Sequence, residues 1–92
     1  MTTHCICYEG KVQGVGFRAS VMSLARGFEV TGGVRNLPDG RVELLVRGDK
    51  TEVNDFLAAI RESHLAGHIE SEQMTPIDPA SMAPLRGFKI LE

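Results

Sequence analysis

The turn near the middle of the chain restricts the fold more than any other sequence feature. Residues 37–40, Leu-Pro-Asp-Gly, combine a proline with an Asp-Gly pair, and both favour a tight reversal of the backbone. Strand-like segments flank it over residues 30–36 and 41–47, and the second places Val42, Leu44 and Val46 on alternate positions. The sequence therefore predicts a β-hairpin at the centre of the fold.

An amphipathic helix is predicted on each side of this hairpin. Between residues 17 and 28, apolar side chains recur at helical spacing, and Gly27 is a suitable end for the helix. After the hairpin, Asp49 and Thr51 are candidate N-caps, and Glu52 together with Asp49 resembles a capping box. The second helix has apolar residues at helical spacing: Val53, Phe56, Leu57 and Ile60. Each helix can therefore bury one face.

The remaining strand-like segments complete the order β-α-β-β-α-β. A first strand is predicted within residues 4–12, a fourth around residues 68–75, and a short last strand at residues 88–91 after a proline-rich loop. This order is typical of an α+β, ferredoxin-like (split β-α-β) sandwich. We expect one domain over residues 1–92, with an antiparallel sheet and both helices on one face.

Strand direction predicts where a site would lie. The first and second strands are parallel because they are joined through a helix, so both end at the same edge of the sheet. A loop containing Gly14 and Gly16 follows the first strand, and Asn36 ends the second. We therefore expect this glycine loop and Asn36 to share one rim.

The charge and hydropathy of the chain exclude several classes of partner. Ten Lys and Arg against twelve Asp and Glu give a net charge of -2, which provides no net attraction to DNA or RNA. No apolar run approaches the ~20 residues of a membrane span, and the N-terminus lacks the basic and apolar regions of a signal peptide. We expect a cytoplasmic monomer that binds neither nucleic acid nor a membrane.

The segment that leads into the first helix has the composition of an anion site. Gly14 and Gly16 allow the backbone to turn tightly, and amides at a helix N-terminus favour phosphate. Arg18 adds a planar cation that can bind two phosphate oxygens. From spacing alone, a tight turn with packing glycines and a solvated arginine explains these residues equally well.

Two better-known phosphate motifs do not fit this segment. A Walker loop ends in Gly-Lys-Ser or Gly-Lys-Thr, and neither follows Gly16. Gly14-x-Gly16-x-x-Ala19 matches a dinucleotide fingerprint, with Asp39 about 20 residues further on. The strand after the helix turns back at the hairpin, however, and the chain is too short for a doubly wound sheet, so we reject this match.

The cysteines and histidines suggest zinc, but their spacing does not favour it. Cys5 and Cys7 would point to the same face of the first strand, where a disulfide between them would be strained, so we expect reduced thiols. Paired zinc cysteines are usually separated by at least two residues. His64 and His68 have helical spacing, but Gly67 is expected to end the second helix before His68. We therefore predict no metal and no cofactor.

The segment Arg86-Gly87-Phe88 resembles part of an RNA-recognition motif. The aromatic residues that should follow are missing, and the chain has one Tyr, four Phe and no Trp, which leaves few stacking platforms. We expect Phe88 to belong to the core.

Two long segments resemble the signature blocks of the acylphosphatase family. They are residues 10–18, GKVQGVGFR, and residues 32–43, GGVRNLPDGRVE. Residues 87–90, GFKI, are similar to the last strand of that family. The resemblance extends over nearly the whole chain and implies the fold predicted above.

The resemblance also implies an activity and roles for individual residues. It implies an acylphosphatase that hydrolyses a small acyl phosphate to a carboxylate and inorganic phosphate, without metal or covalent intermediate. Arg18 would be the phosphate-binding catalytic arginine, and Asn36 would hold the attacking water. The phosphate would bind to the loop formed by Gln13, Gly14, Val15, Gly16 and Phe17, together with Arg18.

The chain departs from the family pattern at two positions. Gly33 and Ala19 stand where the family has an aromatic residue, usually at the first position and often at the second. We expect these changes to leave a smaller and less apolar surface beside the site. The alternative from another functional class is a non-catalytic phosphate-binding or regulatory module of the same fold, which would have no use for a positioned water.

Overall fold

The computed structural model describes residues 1–81 and 86–91. The strands are β1 (Thr2–Gly10), β2 (Val30–Asn36), β3 (Val42–Gly48), β4 (Ile69–Pro76) and β5 (Phe88–Ile90). The α-helices are α1 (Phe17–Ala25) and α2 (Lys50–Arg61), and short 3₁₀ helices cover His64–His68 and Pro79–Ser81. The predicted order of elements is confirmed; part of the predicted proline-rich loop, residues 82–85, lies outside the described residues.

Within the described residues, the strands form one sheet in the order β4-β1-β3-β2-β5. β1 pairs antiparallel with β3 and β4, and β3 pairs antiparallel with β2. The predicted antiparallel pairing is confirmed for β1 to β4, but the sheet is mixed, because the short terminal strand β5 pairs in parallel with β2. β4 ends at the rim opposite the glycine loop and β5 starts from that same rim, so β5 must run in the direction of β2. Its last residues therefore reach the rim where β1 and β2 end.

The core lies between the sheet and the helices, which cover one face as predicted. Ile6 and Tyr8 alternate along β1 with the half-buried Cys5 and Cys7, so the strand has one face in the core. Aromatic rings connect the layers: Tyr8 lies 5.2 Å from Phe17 of α1, centroid to centroid. The other core residues come from both α-helices, the inner face of the strands, the loop after β1 and the first 3₁₀ helix: Val12, Val21, Ala25, Val30, Val34, Val42, Leu44, Val46, Val53, Phe56, Leu57, Ile60 and Leu65.

Two predictions about the ends of α2 are wrong. Asp49 is its N-cap residue but makes no capping hydrogen bond to any described residue. The Glu52 carboxylate does not reach back to Asp49, because it accepts a hydrogen bond of 2.8 Å from the backbone N–H of Glu29. Gly67 does not end the helix either: α2 stops at Arg61, and Gly67 lies within the separate 3₁₀ helix.

Candidate active site

The loop between β1 and α1 depends on two glycines with positive φ. Gly14 has φ 80° and Gly16 has φ 76°, angles that residues with a side chain rarely adopt. Apart from the glycine itself and the adjoining backbone, no described atom lies within 4 Å of the position that a Cβ would occupy at either glycine. The backbone angle, rather than lack of room, therefore requires glycine here, and the surface beside the loop is open.

Helix α1 begins directly after this loop, with Gly16 as its N-cap residue. The first N–H to bond back along the helix is that of Ser20, which donates to the Gly16 carbonyl at 3.0 Å. The N–H groups of the first turn thus have no carbonyl partner within the helix, as helix geometry requires. This turn, all of it described, contains no acidic side chain. It is therefore a helix N-terminus whose positive dipole end no first-turn carboxylate compensates.

A cleft of about 310 Å³ opens beside this helix terminus, and it contains both predicted catalytic residues. Arg18 is half-buried in the first turn of α1, and Asn36 is half-buried at the end of β2. The lining consists of Val12, Gly14, Gly16, Phe17, Arg18, Ala19, Asn36 and Ile90. The glycine loop and Asn36 therefore share one rim, as the strand directions predicted.

Two of the predicted phosphate-binding residues support the loop and do not line the cleft. The side-chain Nε2 of Gln13 donates to the carbonyl of Leu37 at 2.8 Å and to that of Arg41 at 3.0 Å. It fastens the loop to the turn of the β2–β3 hairpin, so the two segments that carry Arg18 and Asn36 are held together. Val15 is partly buried and packs against the core.

The hairpin turn is itself held by a short-range ion pair. Arg41 Nε lies 2.7 Å from a carboxylate oxygen of Asp39, and the Arg41 backbone N–H donates to the other oxygen at 3.1 Å. These contacts, the backbone hydrogen bond first and then the guanidinium, lower the pKa of the exposed Asp39 carboxyl. Asp39 therefore serves the turn, and the dinucleotide assignment has no support from its position.

The structure adds one cleft residue that the sequence did not suggest. Ile90 of β5 lines the cleft and is 40% exposed. Its position follows from the parallel pairing of β5 with β2, in which Ile90 lies opposite Val34. Ile90 lies two residues after Phe88, so the sequence could have placed both on the helix side of the sheet. The position of Ile90 at the cleft depends on the pairing of β5 with β2.

The two departures from the family pattern have different consequences. Ala19 lines the cleft, so a small side chain there leaves room beside Arg18. Gly33 pairs with Leu45 rather than with a core residue of β3, which puts it on the sheet face away from the helices. A Cβ at Gly33 would come within 2.6 Å of Leu91 Cγ, so the Leu91 side chain occupies the space of the missing aromatic. The change at Gly33 therefore alters that face and leaves the cleft lining as it is.

Among the described residues, neither the cysteine–histidine set nor the RNA-recognition segment forms the site that its sequence suggested. His64 Nε2 lies 3.2 Å from the hydroxyl of Ser20 on α1, the helix side of the sheet. In the described part of the chain, the metal-capable group consists of Cys5, Cys7 and Glu43, without His64 or His68. Phe88 is half-buried and packs edge-on against the core residue Phe56, with centroids 5.7 Å apart, so its ring is not a free stacking platform. No helix among the described residues is long and apolar enough to cross a membrane.

Comparison with known proteins points to one family. The family model for acylphosphatases matches residues 5–90. An acylphosphatase of Acaryochloris marina (strain MBIC 11017) is 36% identical over 95 residues, covering 99% of this chain and 99% of the relative. The crystal structure of acylphosphatase from Bacillus subtilis superposes with a TM-score of 0.86 at 30% identity and covers 100% of both chains. A crystal structure of HypF from T. kodakarensis gives a TM-score of 0.84 at 27% identity, over 100% of this chain but 12% of that one.

The family model thus covers most of the chain, and the relative from Acaryochloris marina matches it over nearly its full length. The residues matched by the family model include the glycine loop, the hairpin and the last strand. The chain belongs to the acylphosphatase family.

Proposed function

We propose that this chain hydrolyses the carboxyl–phosphate bond of small acyl phosphates by direct attack of water, without a metal, a cofactor or a covalent intermediate. The observation that carries the proposal is that Arg18 and Asn36 line one cleft at the N-terminus of α1. Family membership supplies the reaction class. The roles below follow from the chemistry of these groups.

The phosphate group is bound by the loop and by Arg18. Backbone N–H groups at the start of α1, together with the helix dipole, favour a dianion. The planar guanidinium of Arg18 binds two phosphate oxygens at once and neutralises charge that develops as the anhydride bond breaks. Gln13 acts indirectly: its two hydrogen bonds to the hairpin fix the position of the loop relative to Asn36.

Asn36 positions the attacking water. A neutral amide both accepts and donates hydrogen bonds, so it can orient a water molecule without taking its proton. The phosphate itself takes that proton. Holding water and phosphate in a fixed geometry replaces a bimolecular encounter with a local one, which is a large part of the acceleration available to such a site.

The leaving group explains why so few residues are sufficient. A carboxylate has a low pKa and departs without protonation, so no general acid is needed. Ala19 and Ile90 present apolar surface beside Arg18. A cleft of about 310 Å³ with these neighbours accommodates a small acyl group. The cytoplasmic location and the monomeric state stay predictions from the sequence.

The test is a comparison of wild type with Asn36→Ala, using acetyl phosphate or benzoyl phosphate as substrate. Wild type should hydrolyse the substrate without added metal, at a rate that a chelator leaves unchanged, and inorganic phosphate should inhibit competitively. Asn36→Ala should keep its affinity for phosphate and lose turnover by at least about 100-fold, the size expected for one positioning or charge-stabilising group. Asn54→Ala, an exposed amide on α2, is the matched control and should match wild type.

Two outcomes would overturn the proposal. Wild type with no rate above buffer, but with phosphate bound, would favour the non-catalytic phosphate-binding module. Equal loss of phosphate affinity in Asn36→Ala and Arg18→Ala would show that Asn36 binds the anion and not the water.

A further inference from the structure

A second group of reactive side chains lies on the sheet face away from the helices. Cys5 and Cys7 are half-buried on that face of β1, and Glu43 of β3 lies directly opposite Cys7 in the strand register. The two Sγ atoms and a carboxylate oxygen of Glu43 all lie within 4.8 Å of one another. The hydrolytic cleft is on the helix side of the sheet, so this group is separate from it.

We propose that Cys5, Cys7 and Glu43 form a binding site for a thiophilic cation of the Zn²⁺ type. Thiolates are the protein ligands that such cations prefer, and a carboxylate oxygen completes many mixed sites. Tetrahedral zinc with Zn–S bonds of about 2.3 Å places neighbouring sulfur ligands roughly 3.7 Å apart. Small side-chain rotations therefore bring three groups already within 4.8 Å to ligand distance. The fourth position faces solvent and is filled by water.

The strand register makes this arrangement a fixed feature of the sheet. Residues two apart on a strand share a face, and directly opposed residues on antiparallel strands have adjacent Cβ atoms. The spacing of Cys5 and Cys7, which is too short for the usual zinc loop, is thus compatible with a site in which the third ligand comes from the neighbouring strand. Three ligands on paired strands are positioned without any loop.

The site brings three groups that can carry negative charge close together. Two thiols and the Glu43 carboxylate have their ligand atoms within 4.8 Å of one another. A cation held between them would offset that charge, and the thiols would bind it as thiolates.

Arg35 holds the carboxylate in place. Its Nε lies 2.8 Å from Glu43 Oε1, and the two residues are directly opposed on β2 and β3. A hydrogen bond to one carboxylate oxygen orients the other, as outer contacts commonly do for metal-binding carboxylates. The positive charge of Arg35 offsets one of three negative charges that two thiolates and Glu43 would carry, so the group remains anionic overall.

The experiment uses Co²⁺ as a spectroscopic substitute for Zn²⁺ on the full, reduced chain under anaerobic conditions. Wild type should bind one Co²⁺ per chain, with thiolate-to-cobalt charge-transfer absorption that added Zn²⁺ abolishes, and native mass spectrometry should show one metal on a single chain. Cys5→Ser and Cys7→Ser should each lose at least half of that absorption. Glu43→Gln should weaken Zn²⁺ binding at least tenfold, as measured by competition with a chelating dye, and Glu70→Gln, an exposed carboxylate on β4, should bind as wild type does.

Three results would overturn the site. They are absence of charge-transfer absorption in wild type, equal affinity of Glu43→Gln and Glu70→Gln, and a metal that bridges two chains in the mass spectrum. Circular dichroism of each variant distinguishes loss of ligand from loss of fold. Because Glu43→Gln leaves both thiols in place, it tests the site even if a serine variant fails to fold.

Discussion

The N-termini of the two α-helices differ in whether they carry negatively charged side chains. The N-cap residue of α1 is Gly16, in the left-handed region, and the first turn of the helix, all of it described, has no acidic residue. The N-cap residue of α2 is Asp49, and Glu52 lies in the first turn, where its carboxylate also accepts a hydrogen bond from the Glu29 backbone. Both termini have the same positive dipole end, but only α2 supplies its own negative charge. This difference supports the proposal that the α1 terminus binds the phosphate of the substrate.

Helix α1 is stabilised by packing in place of a charged cap. Phe17, its first residue, is 2% exposed, and its ring lies 5.2 Å from that of Tyr8. A buried aromatic residue contributes about 2–3 kcal/mol, more than a typical N-cap. The start of α1 is thereby fixed without a side chain that would occupy the anion position.

Removing the cation at the α1 terminus should have the largest effect. Arg18→Ala should lower kcat/KM for an acyl phosphate by about 10³-fold and abolish measurable competition by inorganic phosphate, because a charged group that binds the developing anion is lost. Arg26→Ala, an exposed arginine at the other end of the same helix, is the control and should keep wild-type kinetics. A similar loss of rate in both variants would show that the net charge of α1 matters and not the position of Arg18.

Giving α1 a carboxylate of its own should remove the difference between the helices. Ala19→Asp adds a negative charge in the first turn, beside the cleft. Repulsion between that charge and one negative charge about 8 Å away on the phosphate is worth about 2 kcal/mol at an effective dielectric constant of 20, so the inhibition constant of phosphate should rise roughly 30-fold. The thermal midpoint should stay the same or rise, because the charge complements the dipole. Ala19→Asn, of equal size, should raise the inhibition constant far less, and equal effects of the two substitutions would make the cause steric.

Local patterns in the sequence predicted the features of this comparison that depend on neighbouring residues. The apolar spacing predicted both helices, and the turn at Pro38 and Gly40 predicted the hairpin, because each of these elements depends on a few consecutive residues. The shared rim of the glycine loop and Asn36 followed from strand direction alone. The same reasoning could not give the partner of Glu52, since Glu29 is distant in sequence and the contact depends on how α2 docks.

Features that depend on strand register could not be predicted from the sequence. Cys7 and Glu43 are brought together by the pairing of β1 with β3, and Ile90 reaches the cleft only because β5 pairs in parallel with β2. A shift of register by one residue would send each side chain to the opposite face. The rejected cysteine–histidine set failed for the same reason: it was selected by spacing along the chain, whereas the sheet selects ligands across strands.

Removing the side-chain hydrogen bonds that fasten the loop before α1 should have an intermediate effect on activity. Gln13→Ala removes the two bonds to the carbonyls of Leu37 and Arg41, which should lower the free energy of unfolding by about 1–2 kcal/mol. A loop that is free to move relative to Asn36 should lower kcat by about tenfold, because the proposed water and phosphate are then held less rigidly relative to each other. Gln73→Ala, an exposed glutamine on β4, is the control for kinetics and stability. Reduced stability with unchanged kcat would limit Gln13 to a structural role.

Neutralising the α2 terminus should have the smallest effect and should leave catalysis unchanged. Glu52→Gln keeps an oxygen that can accept the Glu29 N–H but removes the charge that complements the dipole, so the free energy of unfolding should fall by about 0.5–1 kcal/mol. Glu62→Gln removes a like charge at the C-cap of the same helix, where a negative group opposes the dipole, and should be neutral or stabilising by a few tenths of a kcal/mol. Urea denaturation at low ionic strength measures both, and equal losses would mean that total charge, not its place on the helix, sets the stability. Acyl phosphate hydrolysis should be the same in both variants, because neither Glu52 nor Glu62 lines the cleft that contains Arg18 and Asn36.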